Sequence, residues 1–149
     1  MKRFTFQLEN VLKYRETLEN LAKNNYREAL RLLNIEKDKL LTLQKRRDAL
    51  KSAYKPETGS IIDPDTLTFI SNYTGQLLFL MDKQKKAIND KEKIAKSKFE
   101  EWNQKRKDVK VIKRLEEKKW KEYLREVDKE EQKFNDEIFI AKTVRGMER

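Results

Sequence analysis

The feature that most constrains this 149-residue chain is the placement of its only two prolines, Pro56 and Pro64, in one short stretch. Proline lacks a backbone hydrogen-bond donor and clashes with the preceding helical turn, so a long helix stops where it occurs. Residues 1–55 contain no glycine or proline, and residues 65–149 contain only Gly75 and Gly146. The sequence therefore predicts two long helices joined by one reversal of the chain.

Composition limits how these helices can pack. Charged residues make up 42% of the chain and hydrophobic residues 37%, which is too polar for a thick core but sufficient for a narrow seam between two helices. The predicted fold is all-α, a long antiparallel two-helix coiled coil (a helical hairpin) with an overhanging C-terminal helix. We expect one coiled-coil domain over residues 1–149, with helix 1 at about 3–55, the turn at about 56–63 and helix 2 at about 64–142.

The sequence lacks the residues that several kinds of catalysis and metal binding require. The chain has no histidine and no cysteine, which removes the usual general base, the thiolate nucleophile and the common metal ligands. Three isolated glycines cannot build a phosphate-binding loop. We expect no enzymatic activity, no metal and no cofactor. The start MKRFTFQLEN lacks the apolar run of a secretory signal, and the longest apolar run has five residues, so we expect a cytoplasmic protein.

The first arm carries the three-and-four spacing of a coiled-coil seam. Its polar members are Arg15, Glu36 and Arg47, and each is either a paired or snorkelling side chain or a place where the seam is only partly closed. The predicted seam consists of Phe4, Leu8, Val11, Arg15, Leu18, Ala22, Tyr26, Ala29, Leu33, Glu36, Leu40, Leu43, Arg47, Leu50 and Tyr54.

The start of the second arm is too apolar for a two-helix seam. Asp63 is a favourable N-cap and Pro64 suits the first helical position. The run Leu77, Leu78, Phe79, Leu80 and Met81 then covers the whole circumference of a helix, whereas one partner helix covers about a third of it. Either the turn folds over this surface, or the surface binds a partner.

The second arm is also longer than the first. If the turn is short, Phe4 lies near Arg114, and about thirty residues of helix 2 remain without an internal partner. Ion pairs three residues apart, such as Lys119–Glu122, support this segment as a lone helix. An apolar stripe on one side predicts an external partner, and its members are Trp120, Tyr123, Val127, Phe134 and Ile138.

Charge is distributed unevenly along the chain. The formal net charge is +6 for residues 1–54, −2 for 55–80, +7 for 81–114 and −1 for 115–149, a total of +10. A basic shaft attracts acidic partners, which leaves nucleic acid or an anionic membrane surface as an alternative to an acidic protein. Because acidic side chains alternate with the basic ones, we expect no nucleic acid partner.

Both ends of the sequence resemble the flagellar export protein FliJ family. The opening MKRFTFQLENVLKYRETLENLAKNNY has that family's basic-aromatic stretch followed by a helix with an Arg–Glu pair, and EEQKFNDEIFIAK is similar to the family's ending. The middle, from Asp63-Pro64 through Tyr73 and Leu77, has the family's spacing. The matching residues are Phe4, Phe6, Leu8, Val11, Leu12, Arg15, Glu16, Glu19, Ala22, Glu131, Lys133, Asp136, Glu137 and Ile138.

The resemblance implies a stalk-like coiled coil in the cytoplasmic part of the flagellar type III export apparatus, peripheral to the inner face of the cell membrane. Its partners would be the export ATPase hexamer, the cytoplasmic domain of the export gate, and export chaperones returned for reuse. The export-gate contacts implied are Leu43, Arg47, Leu50, Tyr54, Tyr73, Leu77, Leu80 and Gln84. The ATPase-ring contacts implied are Phe4, Phe6, Leu8, Val11, Arg15, Trp120, Tyr123, Val127, Phe134 and Ile138.

Overall fold

The structure, a computed structural model, describes residues 2–54 and 63–147. Two long α-helices account for most of them: α1 spans Glu9–Ala53 and α2 spans Pro64–Met147. No strand occurs within these two described ranges. The prediction of an all-α chain with two long helices packed against each other is confirmed. The turn expected at about 56–63 lies, apart from its last residue, outside the described residues.

Helix α2 begins where the sequence predicts. The Asp63 carbonyl accepts a hydrogen bond from the Leu67 amide at 2.9 Å, which places Asp63 at the N-cap position with Pro64 as the first helical residue. The helix continues to Met147, five residues beyond the end expected at about residue 142. Because no glycine or proline lies between Gly75 and Gly146, no helix breaker in the local sequence ends the helix earlier.

Helix α1 begins later than predicted. It was expected from about residue 3, but it starts at Glu9, after a turn in which the Glu9 amide bonds to the Phe6 carbonyl at 3.2 Å. The reason is the position of the two phenylalanines. Phe4 and Phe6 both pack on α2, and residues two apart share a face in extended backbone but not in a helix.

The chain divides into two compact units, a terminal unit of Met1–Glu19 with Gln104–Arg149 and a central unit of Asn20–Asn103. In the central unit the buried Ala29 and Leu33 of α1 pack with Ala95 of α2. Nearer the N-terminus of α1, the ring of Tyr26 contacts Phe99 and Trp102, with centroids 5.4 and 5.7 Å apart. Residue numbers rise on α1 as they fall on α2, so the two segments run in opposite directions. That both units form the single domain expected stays a prediction.

In the terminal unit the core consists of Leu12, Val109 and Ile112, with Phe6 packed against it. The seam prediction chose Val11 at this level, and it was wrong, because Val11 is 39% exposed whereas Leu12 is buried. Both residues are apolar neighbours, so spacing alone could not decide which of them faces α2.

The predicted register at the chain's N-terminus was also wrong. Phe4 contacts Trp120 and Tyr123, with ring centroids 5.1 and 5.4 Å apart, and does not lie beside Arg114. An extended residue advances about 3.3 Å, compared with 1.5 Å in a helix. The non-helical segment before Glu9 therefore reaches further along α2 than a helix would.

Candidate partner-binding surfaces

An aromatic cluster in the terminal unit joins the N-terminal segment to α2. The ring of Phe4 meets Trp120 edge-on, at an interplanar angle of 73°, and Trp120 stacks on Tyr123 at 27°. The Tyr123 hydroxyl donates a hydrogen bond of 2.9 Å to the Lys2 carbonyl oxygen. Three residues that the resemblance assigns to the ATPase ring are thus brought together, and the expectation that Trp120 and Tyr123 have no internal partner was wrong.

The other ring-assigned residues of the N-terminal region have different surroundings. Phe6 and Leu8 are half-buried, and Phe6 packs on the Leu12 core. Arg15, a polar seam residue, forms an ion pair of 3.6 Å between its Nη1 and Asp108 Oδ2. Val11 lies on the exposed side of α1 beside a shallow depression that Arg15 and Asp108 also line. The paired interpretation of Arg15 is confirmed.

The last part of α2 is exposed on every side. Val127 is half-buried, and each residue from 128 to 147, here called the exposed tail, is exposed. It includes Phe134, with 63% of its surface accessible, and Ile138. Before the tail, Lys119 forms the predicted ion pair with Glu122, at 3.5 Å.

The gate-assigned residues of α1 lie near its C-terminal end, in the central unit. Leu43, Arg47 and Leu50 are half-buried, and Tyr54, just after the helix, is exposed. Arg47 forms an ion pair of 3.4 Å with its neighbour Asp48, so its charge is partnered on its own helix.

The gate-assigned residues of α2 divide between the seam and the surface. Leu77 is only 2% exposed and Met81 is buried, whereas Leu80 is exposed. Tyr73 is half-buried and stacks on Phe69, with centroids 6.3 Å apart. The structure therefore does not offer Leu77 to a partner, because this side chain lies in the core of the central unit.

Gln84, the fourth gate-assigned residue of α2, is tied to the seam. Its Nε2 donates to the Glu36 carbonyl oxygen at 2.8 Å and also to Glu36 Oε2. The hydrogen bond from Gln84, and after it that from Lys39 at 3.2 Å, lowers the pKa of the Glu36 carboxyl. The sequence identified Glu36 as a polar seam residue, but its partner, 48 positions away, could not be read from spacing.

Several apolar side chains near the start of α2, in the central unit, are exposed. Of the five successive apolar residues, Leu77 and Met81 are buried and the three between them are exposed, Phe79 at 64%. Lys83 lies over the Phe79 ring, 5.8 Å from its centroid. We define the outward patch by its exposed members, Leu67, Phe69, Leu78, Phe79 and Leu80.

A shallow concavity accompanies the outward patch. Asn72, Gly75 and Gln76 line it together with Phe79 and Leu80. Gly75 lies within a regular helix, and a Cβ placed there would meet no atom within 4 Å. The glycine therefore leaves a notch in the helix surface and is not required for internal packing.

The described residues contain no cluster of three or more acidic, histidine or cysteine side chains that could hold a metal ion. None of the helices described is long and apolar enough to cross a membrane. What both units present is helix surface with apolar and charged side chains, which is suited to binding other macromolecules.

Comparison with known proteins agrees with this description. The family model described as "Flagellar FliJ protein" matches residues 4–148. A solved structure of a YscO homologue from Chlamydia trachomatis resembles the chain with a TM-score of 0.51 at 21% identity, covering 91% of this chain and 93% of its own, which supports the helical fold. No curated protein matches the chain. Since the family match covers nearly the whole sequence, this chain belongs to the flagellar FliJ protein family.

Proposed function

We propose that the chain is a cytoplasmic component of the flagellar type III protein export apparatus. In this role an antiparallel two-helix coiled coil with an overhanging C-terminal helix links the export ATPase ring to the export gate and takes part in returning export chaperones for reuse. Membership of the flagellar FliJ protein family supports the assignment. In each unit α1 and α2 contact each other and run in opposite directions, which supports the coiled coil.

The aromatic cluster is the observation that carries the ring-binding part of the proposal. Phe4, Trp120 and Tyr123 come from opposite ends of the sequence, yet they form one continuous apolar surface in the terminal unit. Aromatic side chains supply much of the binding energy of protein interfaces. Binding to the ATPase ring through this cluster would use both chain ends at once.

Co-purification of the full chain with the export ATPase tests the ring contact. Phe4→Ala is expected to reduce retention at least about tenfold, since aromatic anchors typically contribute 2 kcal/mol or more. Tyr14→Ala is the matched control, because Tyr14 is an exposed aromatic residue of the same unit outside the cluster. Equal retention of the wild type and both variants would refute the cluster as the ring contact.

The outward patch is a better candidate for the export-gate contact than the buried seam, because the side chains of the patch are exposed. Leu80 and Tyr54 are exposed members of the gate-assigned set, and Phe79 lines the same shallow concavity as Leu80. Leu77 contributes only indirectly, by holding α2 in the central unit. The gate domain would therefore dock on the outward side of α2.

The gate contact is tested by co-purification with the cytoplasmic domain of the export gate. Leu80→Asp is expected to abolish retention while the circular dichroism signal of the helices stays unchanged. Ile94→Asp is a matched control, because both residues lie on α2 in the central unit and both are 46% exposed. Loss of helix content in Leu80→Asp would instead mean that this side chain packs internally.

The proposed chaperone role and the proposed location at the inner face of the membrane are supported by the family resemblance alone. The export role predicts that deletion of the chain impairs motility, and the gate contact predicts that the deleted cells swim again when Ile94→Asp is supplied but not when Leu80→Asp is. If both variants restore motility equally, flagellar assembly does not depend on Leu80 of the outward patch.

A further inference from the structure

The exposed tail continues the spacing of a coiled-coil seam beyond the contacts made within the chain. Positions that alternate three and four residues apart share one helix face. On this face Val127, which precedes the exposed tail, is half-buried, and the residues of the exposed tail are all exposed. The tail stripe consists of Leu124, Val127, Glu131, Phe134, Ile138, Ala141 and Arg145.

Charge divides the same segment into two halves of opposite sign. Residues 126–137 carry six carboxylates and two lysines, whereas residues 138–147 carry Lys142 and Arg145 and no carboxylate. A helix with this arrangement attracts a copy of itself that runs in the opposite direction, and repels a copy that runs in the same direction.

We propose that a second copy of this chain docks on the tail stripe, so that two tails pair in antiparallel orientation. The pairing that places Phe134 against Ile138 of the second copy also places Asp128 near Lys142 of the second copy, on the same side of the stripe. Two-fold symmetry repeats each of these contacts. A single register therefore packs the apolar side chains against each other and also brings opposite charges together beside them.

The proposal goes beyond the export role and does not rest on it, since the argument uses only exposure, spacing and charge. It has one consequence for that role. Phe134 and Ile138 are also assigned to the ATPase ring by the family resemblance, so the paired form and the ring-bound form exclude each other. Paired tails would be the state of the chain when it is away from the ring.

Sedimentation equilibrium of the full chain tests whether the tails pair. The wild type is expected to show a concentration-dependent monomer–dimer equilibrium, and Ile138→Asp is expected to raise the dimer Kd at least about tenfold. Ile140→Asp is the matched control, since Ile140 is 60% exposed on the same helix but about 200° around its axis from Ile138. A wild type that stays monomeric up to about 100 μM, or equal effects of both variants, would overturn the proposal.

Charge reversal tests the register. Asp128→Lys and Lys142→Glu alone should each weaken the dimer several-fold, and the two substitutions in one chain should restore it, because both ion pairs are then rebuilt with reversed sign. The wild-type dimer should weaken as salt is raised. Additive losses in the double variant would contradict the proposed register.

Orientation is tested by cross-linking, for which the natural chain offers no competing thiol because it has no cysteine. An equimolar mixture of Glu131→Cys and Ala141→Cys chains, whose substituted positions face each other across the stripe in this register, should form mixed disulfides in preference to either homodimer. Predominant homodimers would indicate parallel pairing and would overturn the proposal. Neither result affects the co-purification experiments, which measure binding to other proteins.

Discussion

The start and the end of α2 carry similar apolar residues but differ in what surrounds them. In the central unit Leu77 and Met81 are buried, and Gln84 bonds to Glu36 of α1. In the exposed tail every side chain, including Phe134, is exposed. The difference arises because α1 supplies a facing surface in the first case, whereas residues 128–147 are accessible on all sides.

This contrast separates residues that hold the fold from residues available to a partner. Removal of a buried apolar side chain loses both its burial and its packing, so its effect appears in the free energy of unfolding. Removal of an exposed one leaves the chain by itself nearly unchanged and affects only binding. Stability measurements can therefore distinguish the two classes without knowledge of the partner.

The largest expected difference is between Leu77→Ala and Phe134→Ala. Leu77→Ala should lower the free energy of unfolding by about 3 kcal/mol, because it leaves a cavity in the seam. Phe134→Ala should change it by less than about 0.5 kcal/mol. Urea unfolding followed by circular dichroism measures both, and similar losses in the two variants would show that the tail is also packed.

A smaller change in the free energy of unfolding, of opposite sign, is expected at Gly75, in the concavity that Phe79 and Leu80 also line. Gly75→Ala should raise the free energy of unfolding by about 1 kcal/mol, since alanine is the better helix former and the new methyl group meets no atom. Gly146→Ala has the same steric freedom but lies one residue before the end of α2, where helices fray, and should have little effect. Thermal unfolding of the two variants provides the comparison, and a destabilised Gly75→Ala would reveal a requirement for glycine there.

The smallest effect concerns the polar link between Glu36 and Gln84 in the central unit. Because hydrogen bonds from Gln84 and Lys39 lower the pKa of Glu36 in the folded chain, its carboxylate stabilises the fold at pH values above its unfolded pKa. This stabilisation should disappear as the pH falls through the lower, folded pKa. An NMR titration of Glu36 measures the shift, and in Gln84→Ala the pKa should rise towards the ordinary value. An unchanged pKa in that variant would show that the hydrogen bond does not cause the shift.

Much of the helical architecture could be predicted because it depends on local sequence. Pro64 begins α2 as expected, since proline suits the first turn and excludes the interior of a helix. Helix α1 ends at Ala53, shortly before Pro56. The N-terminal start was missed because Phe4 and Phe6 are compatible with a helix locally, and only their packing on α2 favours extended backbone.

The candidate surfaces were predicted less completely. Five successive apolar residues have no periodicity, so the sequence indicated that some of them must be exposed but not that Leu77 and Met81 are the buried ones. The aromatic cluster was missed for a related reason. The number of residues between Phe4 and Trp120 does not reveal how far an extended segment reaches.

The sequence by itself determined two long helices, the first residue of α2, the absence of histidine and cysteine chemistry, and the family. These follow from backbone restrictions, composition and motif order, which are properties of neighbouring residues. Only the tertiary structure decided the register of α1 against α2 and which apolar faces are buried. Register depends on side chains far apart in sequence, and Gln84 meeting Glu36 or Phe4 meeting Trp120 is settled only when the two arms pack.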